Sequence, residues 1–165
     1  SNSPIAQTLV INEVLPDTDC FIGQQEGQWL EIYNGYSVTV NLKNFKLRNG
    51  ITLATIDLVT SNTDVAAGNF ALIAHSNAVW TQCYSSNNVT TANFGGQFDI
   101  NTEHLQLLDA SDVVIDTVKW GSQTPGLDIV QNQSIERDPD GLDSALGTNF
   151  TESDFVIRTT PQPGL

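Results

Sequence analysis

Methionine is absent from the 165 residues, cysteine and histidine occur twice each, and Lys plus Arg number only six. Each scarcity removes a class of function. Two cysteines, Cys20 and Cys83, are too few and too far apart for a thiolate zinc cluster or a Cys-x-x-Cys redox pair. A disulfide or two free thiols remain, and we expect the disulfide, which closes a loop long enough to contribute roughly 4 kcal/mol in the chain-entropy account. His75 and His104 lie in no His-Glu-x-x-His or comparable metal spacing. Ser76 beside His75 is adjacency in sequence, not the spatial arrangement a nucleophile and its base require.

Six cationic side chains against 19 acidic ones leave a formal charge of −13. A field of that sign repels a phosphate backbone, so neither nucleic acid nor anionic membrane is an expected partner. No apolar run approaches the roughly 18 residues of a membrane helix, and membrane insertion is not expected. The missing Met points to a processed or trimmed start, for which removal of a signal peptide is the natural explanation. Residues 1–6 are expected to be disordered, with Ser1-Asn2 read as a cloning scar.

What is present is polar but weakly charged. Charged residues make up 15% of the chain, so the surface is drawn from Asn, Thr, Ser, Gln and Gly, which suit turns and strand faces better than helices. Leu9–Leu15 is rich in β-branched residues and stops at the turn cluster Pro16-Asp17-Thr18-Asp19. Gln28–Tyr33 reads as a second strand, and Asn34-Gly35 predicts a hairpin to a third over Tyr36–Leu42. Phe45–Arg48 precedes a second Asn-Gly turn, and Ile51–Val59 and Phe70–Ala74 supply further β-rich runs. Residues 85–98, poor in periodic apolar content, read as a long surface loop. Glu103–Leu108 and Val113–Trp120 flank a turn at Asp109–Asp112, and Gln133–Arg137 is the last predicted strand. Residues 138–165, broken by Pro and Gly, are expected to form an irregular tail packed on the domain. Short strands, frequent turns and no helical period specify one antiparallel all-β sandwich over residues 1–165.

Several phrases fall in a recognisable order: Val10-Ile11-Asn12-Glu13-Val14, Trp29-Leu30-Glu31-Ile32-Tyr33-Asn34, Val40-Asn41-Leu42 through Leu47, Ala67-Gly68-Asn69 through Ile73, Asp116 through Gly121, Gln133 through Arg137, and Thr160 through Gly164. Together they resemble a lamin-tail domain along nearly the whole chain. The resemblance implies an immunoglobulin-like sandwich of a secreted or cell-surface bacterial protein. The chain has no coiled-coil heptads and an acidic balance, so the nuclear role of animal members is not carried over.

The candidate chemistry is sparse. Trp29, Tyr33, Phe45, Phe70 and Trp120 sit on strand-like segments as core fillers, whereas Trp80, beside the long loop, is the candidate ligand platform. Glu13 and Glu31 lie in apolar strands and are expected to pair with Arg48, Arg137 or Lys119. Asp138, Asp140 and Asp143 around Gly141 are the candidate calcium ligands, although no bidentate Glu follows as in an EF-hand. Sequons at Asn88, Asn132 and Asn149 mark surface loops. The reading is a non-catalytic binding or structural module that engages a protein or glycan, needs no cofactor, and uses loops such as 85–98. The alternative is a metal-dependent hydrolase or nuclease fragment, or an accessory domain of such an enzyme.

Overall fold

Leu9–Leu15 forms strand β1, and all seven of its residues are buried. A strand with one wet face would alternate, so this run belongs to a sheet covered on both sides. Residues 8–20, 27–74, 90–94 and 103–161 are described by the computed structural model of the chain. The other strands among them are β2 (Trp29–Asn34), β3 (Val40–Asn41), β4 (Lys46–Asn49), β5 (Thr55–Asp57), β6 (Asp64–Val65), β7 (Phe70–Ala74), β8 (Thr90–Asn93), β9 (His104–Leu108), β10 (Val114–Lys119), β11 (Ser134–Arg137) and β12 (Phe155–Arg158). Helical structure among the described residues is confined to single 3-10 turns.

A six-stranded sheet runs β12-β11-β1-β2-β7-β8, a four-stranded sheet runs β10-β9-β4-β5, and β3 and β6 form a small ribbon. The two larger sheets face each other across one core. Ile11, Val14, Leu30, Ile32, Ile73 and Ile135 from the first meet Leu47, Leu105, Leu107, Val118 and Trp120 from the second. The chain is therefore an all-β, immunoglobulin-like sandwich. On the far face of the larger sheet Val10, Leu15, Trp29, Leu72 and Ala74 are also buried. Trp29 thus fills space as expected, but behind the sheet rather than between the two sheets. Trp120 is in the core proper, Phe45 packs half-buried against it, and the Tyr33 and Phe70 rings pack on one another at 5.2 Å.

The predicted hairpin at Asn34-Gly35 is absent. β2 pairs with β1 and β7, and β3 pairs instead with β6. The cause is the Asn34 side chain, which donates to the carbonyls of Val38 and Val65 and accepts from the Tyr36 N–H. It uses the Asn to tie down a loop, so only Val40–Asn41 of the expected third strand is extended. At the second Asn-Gly, β4 and β5 do form a hairpin, but Asn49 accepts from the N–H groups of Ile51 and Thr52 and delays the return strand to Thr55–Asp57. Leu58 and Val59 then drop into the core.

Two segments read as irregular contain strands. Thr90–Asn93, inside the expected 85–98 loop, lies parallel to β7 and is the one parallel pairing among the described strands. An edge strand needs few apolar positions, and Ala92 and then Phe94 supply them. The tail is not irregular throughout either: Phe155–Arg158 pairs antiparallel with β11 and adds an edge strand to the larger sheet.

Candidate functional site

A β-bulge between Ile11 and Glu13 shapes both polar clusters of the domain. Bulges leave backbone groups out of the ladder, and a buried unpaired N–H or C=O must find another partner. Here the Ile11 N–H donates to Asp116 Oδ2 at 2.8 Å, and the Ile11 carbonyl accepts from Arg137 Nε at 2.9 Å. Arg137 reaches the Leu142 carbonyl through Nη1 at 2.7 Å and both Asp116 oxygens through Nη2 at 2.8 and 3.0 Å. Asp143 and Asp154 stand 3.6 and 3.7 Å from its Nη1, and its guanidinium lies 4.5 Å from the Phe155 ring centre. Arg137 is only 2% exposed and Asp116 1%. Burial pushes the Asp116 carboxyl up to about 6, against the pull of Arg137 and the Ile11 N–H. The cluster joins β1, β10, β11 and the segment leading to β12, and its Arg137, Asp116 and Asp154 side chains are buried.

The second cluster lies on the far face of the larger sheet. Register aligns Glu136 of β11, Glu13 of β1 and Glu31 of β2 in one row across adjacent strands. Glu13 is fully buried; its Oε1 accepts from Ser134 Oγ at 2.6 Å, and its Oε2 has no donor. Burial first, then hydrogen bonding to the Glu136 carboxyl, raises Glu13 to about 9; the Ser134 bond opposes this, and repulsion from Glu136 and Glu31 adds to it. A carboxyl raised that far is protonated at neutral pH and can donate to the Glu136 carboxylate opposite it. The Glu136 carboxylate in turn accepts from Arg158 Nε and Nη2 at 3.1 and 2.8 Å. Asn12, set beside Glu13 by the bulge, donates to Glu31 Oε1 at 2.7 Å and Asp140 Oδ1 at 3.2 Å and accepts from the Gly141 N–H at 2.7 Å.

These arrangements correct the expected pairings. Neither Glu13 nor Glu31 is paired with Arg48, Arg137 or Lys119 among the described residues: Arg137 faces the opposite side of the sheet, and Arg48 Nε donates to Gln106. Sequence shows formal charge but not protonation, and formal charge alone points a buried carboxylate to a cation. The three candidate calcium ligands are not gathered either. Asp140 turns to Asn12, Asp143 turns inward to Arg137, and Asp138 is exposed. Among the described residues no three His, Cys, Asp or Glu side chains are placed to hold a metal ion. Trp80, His75, Cys83 and Asn88 lie outside the described residues, as does most of the 85–98 loop. Cys20 is exposed just beyond β1.

The structure adds a feature that sequence reading missed. Gly126, Leu127, Phe150, Thr151, Glu152, Ser153 and Phe155 line an open cleft of about 570 Å³. The Phe150 and Phe155 rings, 5.4 Å apart, form its apolar part, and Thr151, Ser153 and Glu152 supply polar groups. The Glu152 carboxylate, the far end of an exposed side chain, lies over Gly126 in the space a side chain there would fill. No sequence motif marks the cleft, because it is assembled from two irregular segments brought together by β12.

The search of curated proteins finds no match. A family model does match: residues 2–122, more than half of the sequence, fit the Lamin Tail Domain, and the chain belongs to that family.

Proposed function

We propose that the chain is a non-catalytic binding or structural module of a secreted or cell-surface bacterial protein, engaging a protein or glycan without a cofactor. The observation that carries this reading is the cleft beside β12. It is shallow and open, offers the half-buried Phe150 ring, backed by the buried Phe155, and two hydroxyl side chains, and holds a single carboxylate rather than a converging acid, base and nucleophile. The two carboxylate clusters support it in another way: Glu13, Asp116 and Asp154 are sealed inside the fold, where a substrate cannot meet them. Calcium is left out of the reading because Asp143 is already taken by Arg137.

The test is titration with glycans and oligosaccharides, together with Phe150→Ala and Glu152→Gln variants. Either substitution is expected to weaken a bound glycan by about tenfold. Assays on phosphodiester, phosphomonoester, glycoside and peptide substrates with magnesium, calcium or manganese are expected to show no turnover. Metal-dependent turnover would replace this reading with a hydrolase or nuclease fragment.

A Cys20–Cys83 disulfide is part of the extracellular proposal, since oxidising compartments preserve such bonds. No described cysteine is a free thiol, which supports it. Thiol titration under non-reducing, denaturing conditions is expected to find no reactive group, whereas detection of both would remove the disulfide.

A further inference from the structure

Acidic residues outnumber Lys plus Arg by 19 to six, so any cation on this surface has carboxylates within easy reach. Arg137, Arg158 and Lys46 have taken them, pairing with Asp116, Glu136 and Asp112. Lys43 donates to the Thr60 carbonyl. Arg48 and Lys119 make no ion pair among the described residues, and both lie on the outer face of the four-stranded sheet. Alternation puts them there: Leu47, Leu105, Leu107 and Val118 point into the core, and Arg48, His104, Gln106 and Lys119 point away. Register sets Lys119 directly opposite His104 on one side, while on the other Arg48 stands opposite Gln106, two residues along the strand, so the imidazole lies on the diagonal between the two cations.

The arrangement is organised before any ligand arrives. Gln106 Oε1 accepts from Arg48 Nε at 2.8 Å, fixing the guanidinium plane and leaving the Nη1 and Nη2 edge free of hydrogen bonds among the described residues. The His104 ring lies where a side chain on Gly50 would be, and its Nε2 is shielded from solvent with no partner among the described residues. The nearby acids are turned elsewhere. Glu103 accepts from the N–H and hydroxyl of Ser122, Asp112 pairs with Lys46, and Asp57 stands opposite Lys46 in the ladder.

We propose that Arg48 and Lys119, straddling His104, form a binding site for a single carboxylate group of a partner molecule. The free guanidinium edge matches a carboxylate through two parallel hydrogen bonds, and the Lys119 ammonium supplies a second positive charge. The net charge of the protein selects within the anions: a monoanion meets half the long-range repulsion that a dianionic phosphate meets. The site shares no residue with the cleft beside β12, so either can fail without the other. Burial, then Lys119, then Arg48 lower the His104 pKa, which makes this imidazole a reporter of the local field.

The test is an NMR pH titration of the His104 ring, assigned by its loss in His104→Gln, at constant ionic strength in chloride, acetate, glucuronate or N-acetylglutamate amide. Acetate is expected to raise the His104 pKa by about half a unit over chloride, saturably, because a bound anion favours imidazolium. A larger effect of glucuronate would assign the carboxylate to a glycan, and a larger effect of the glutamate derivative to an acidic peptide. Arg48→Gln with Lys119→Gln should raise the pKa of the free protein by removing two like charges and should abolish the response to carboxylate. Equal values in chloride and acetate, or a response that persists in the double variant, would overturn the proposal.

Discussion

Replacing Arg137 with methionine is expected to cost about 3–5 kcal/mol, because it strips the counter-charge from a buried carboxylate while filling much of the same volume. Asp116 would keep only the Ile11 N–H, and the Ile11 and Leu142 carbonyls would each lose a donor. Asp143 and Asp154 would lose the cation between them. Against a total stability of roughly 5–15 kcal/mol for a domain, a loss of that size leaves a large unfolded fraction. Urea denaturation followed by tryptophan fluorescence measures it. Arg137→Lys should recover only part of the loss, since one ammonium cannot reach Ile11, Leu142 and both Asp116 oxygens together. Adding Asp116→Leu to Arg137→Met should restore stability relative to the single variant by removing the stranded charge. If the double variant is no more stable than the single one, backbone bonding to Ile11 and Leu142 dominates over charge.

This residue also shows what sequence could reveal. Gln133–Arg137 is legible as a strand, and Asp116 sits in a β-branched run that reads as another, but nothing local indicates that the two meet across the core. Apolar runs made β1 and β7 plain, alternation did the same for β9, and a β-branched run for β10, because those patterns follow from which faces are buried. Asn34-Gly35 misled because the same dipeptide can supply a hairpin turn or, as here, a carboxamide that ties three backbone groups together. β12 was hidden among Pro and Gly, since its place depends on pairing with β11 rather than on its own four residues. Glu13 and Glu31 were rightly singled out as anomalous carboxylates in apolar strands. Their partners were not legible, because register placed another carboxylate opposite Glu13 and burial changed its protonation.

That protonation predicts an unusual pH profile. Glu13 is raised from 4.5 to about 9 and Asp116 from 3.8 to about 6, so the folded protein holds both protons more tightly than the unfolded chain. The stabilisation is fully present below the unfolded values. It is lost for Asp116 as pH rises to about 6, and for Glu13 as pH rises through about 9. Within its window each group contributes a slope of about 1 kcal/mol per pH unit, and above pH 6 the slope belongs to Glu13. The melting temperature should therefore be highest on the acidic side and fall steadily from pH 6 to 9, whereas carboxylates held by cations would give the opposite trend at low pH. Glu13→Gln isolates the cause. Its amide can donate to Glu136 and accept from Ser134 Oγ without titrating, so the variant should be flat over that range, more stable than the parent at pH 8 and no more stable at pH 5. A parent with no decline above pH 6, or a variant that declines equally, would mean that Glu13 and Glu136 share no proton and that the β11–β12 hairpin is held to β1 by other means.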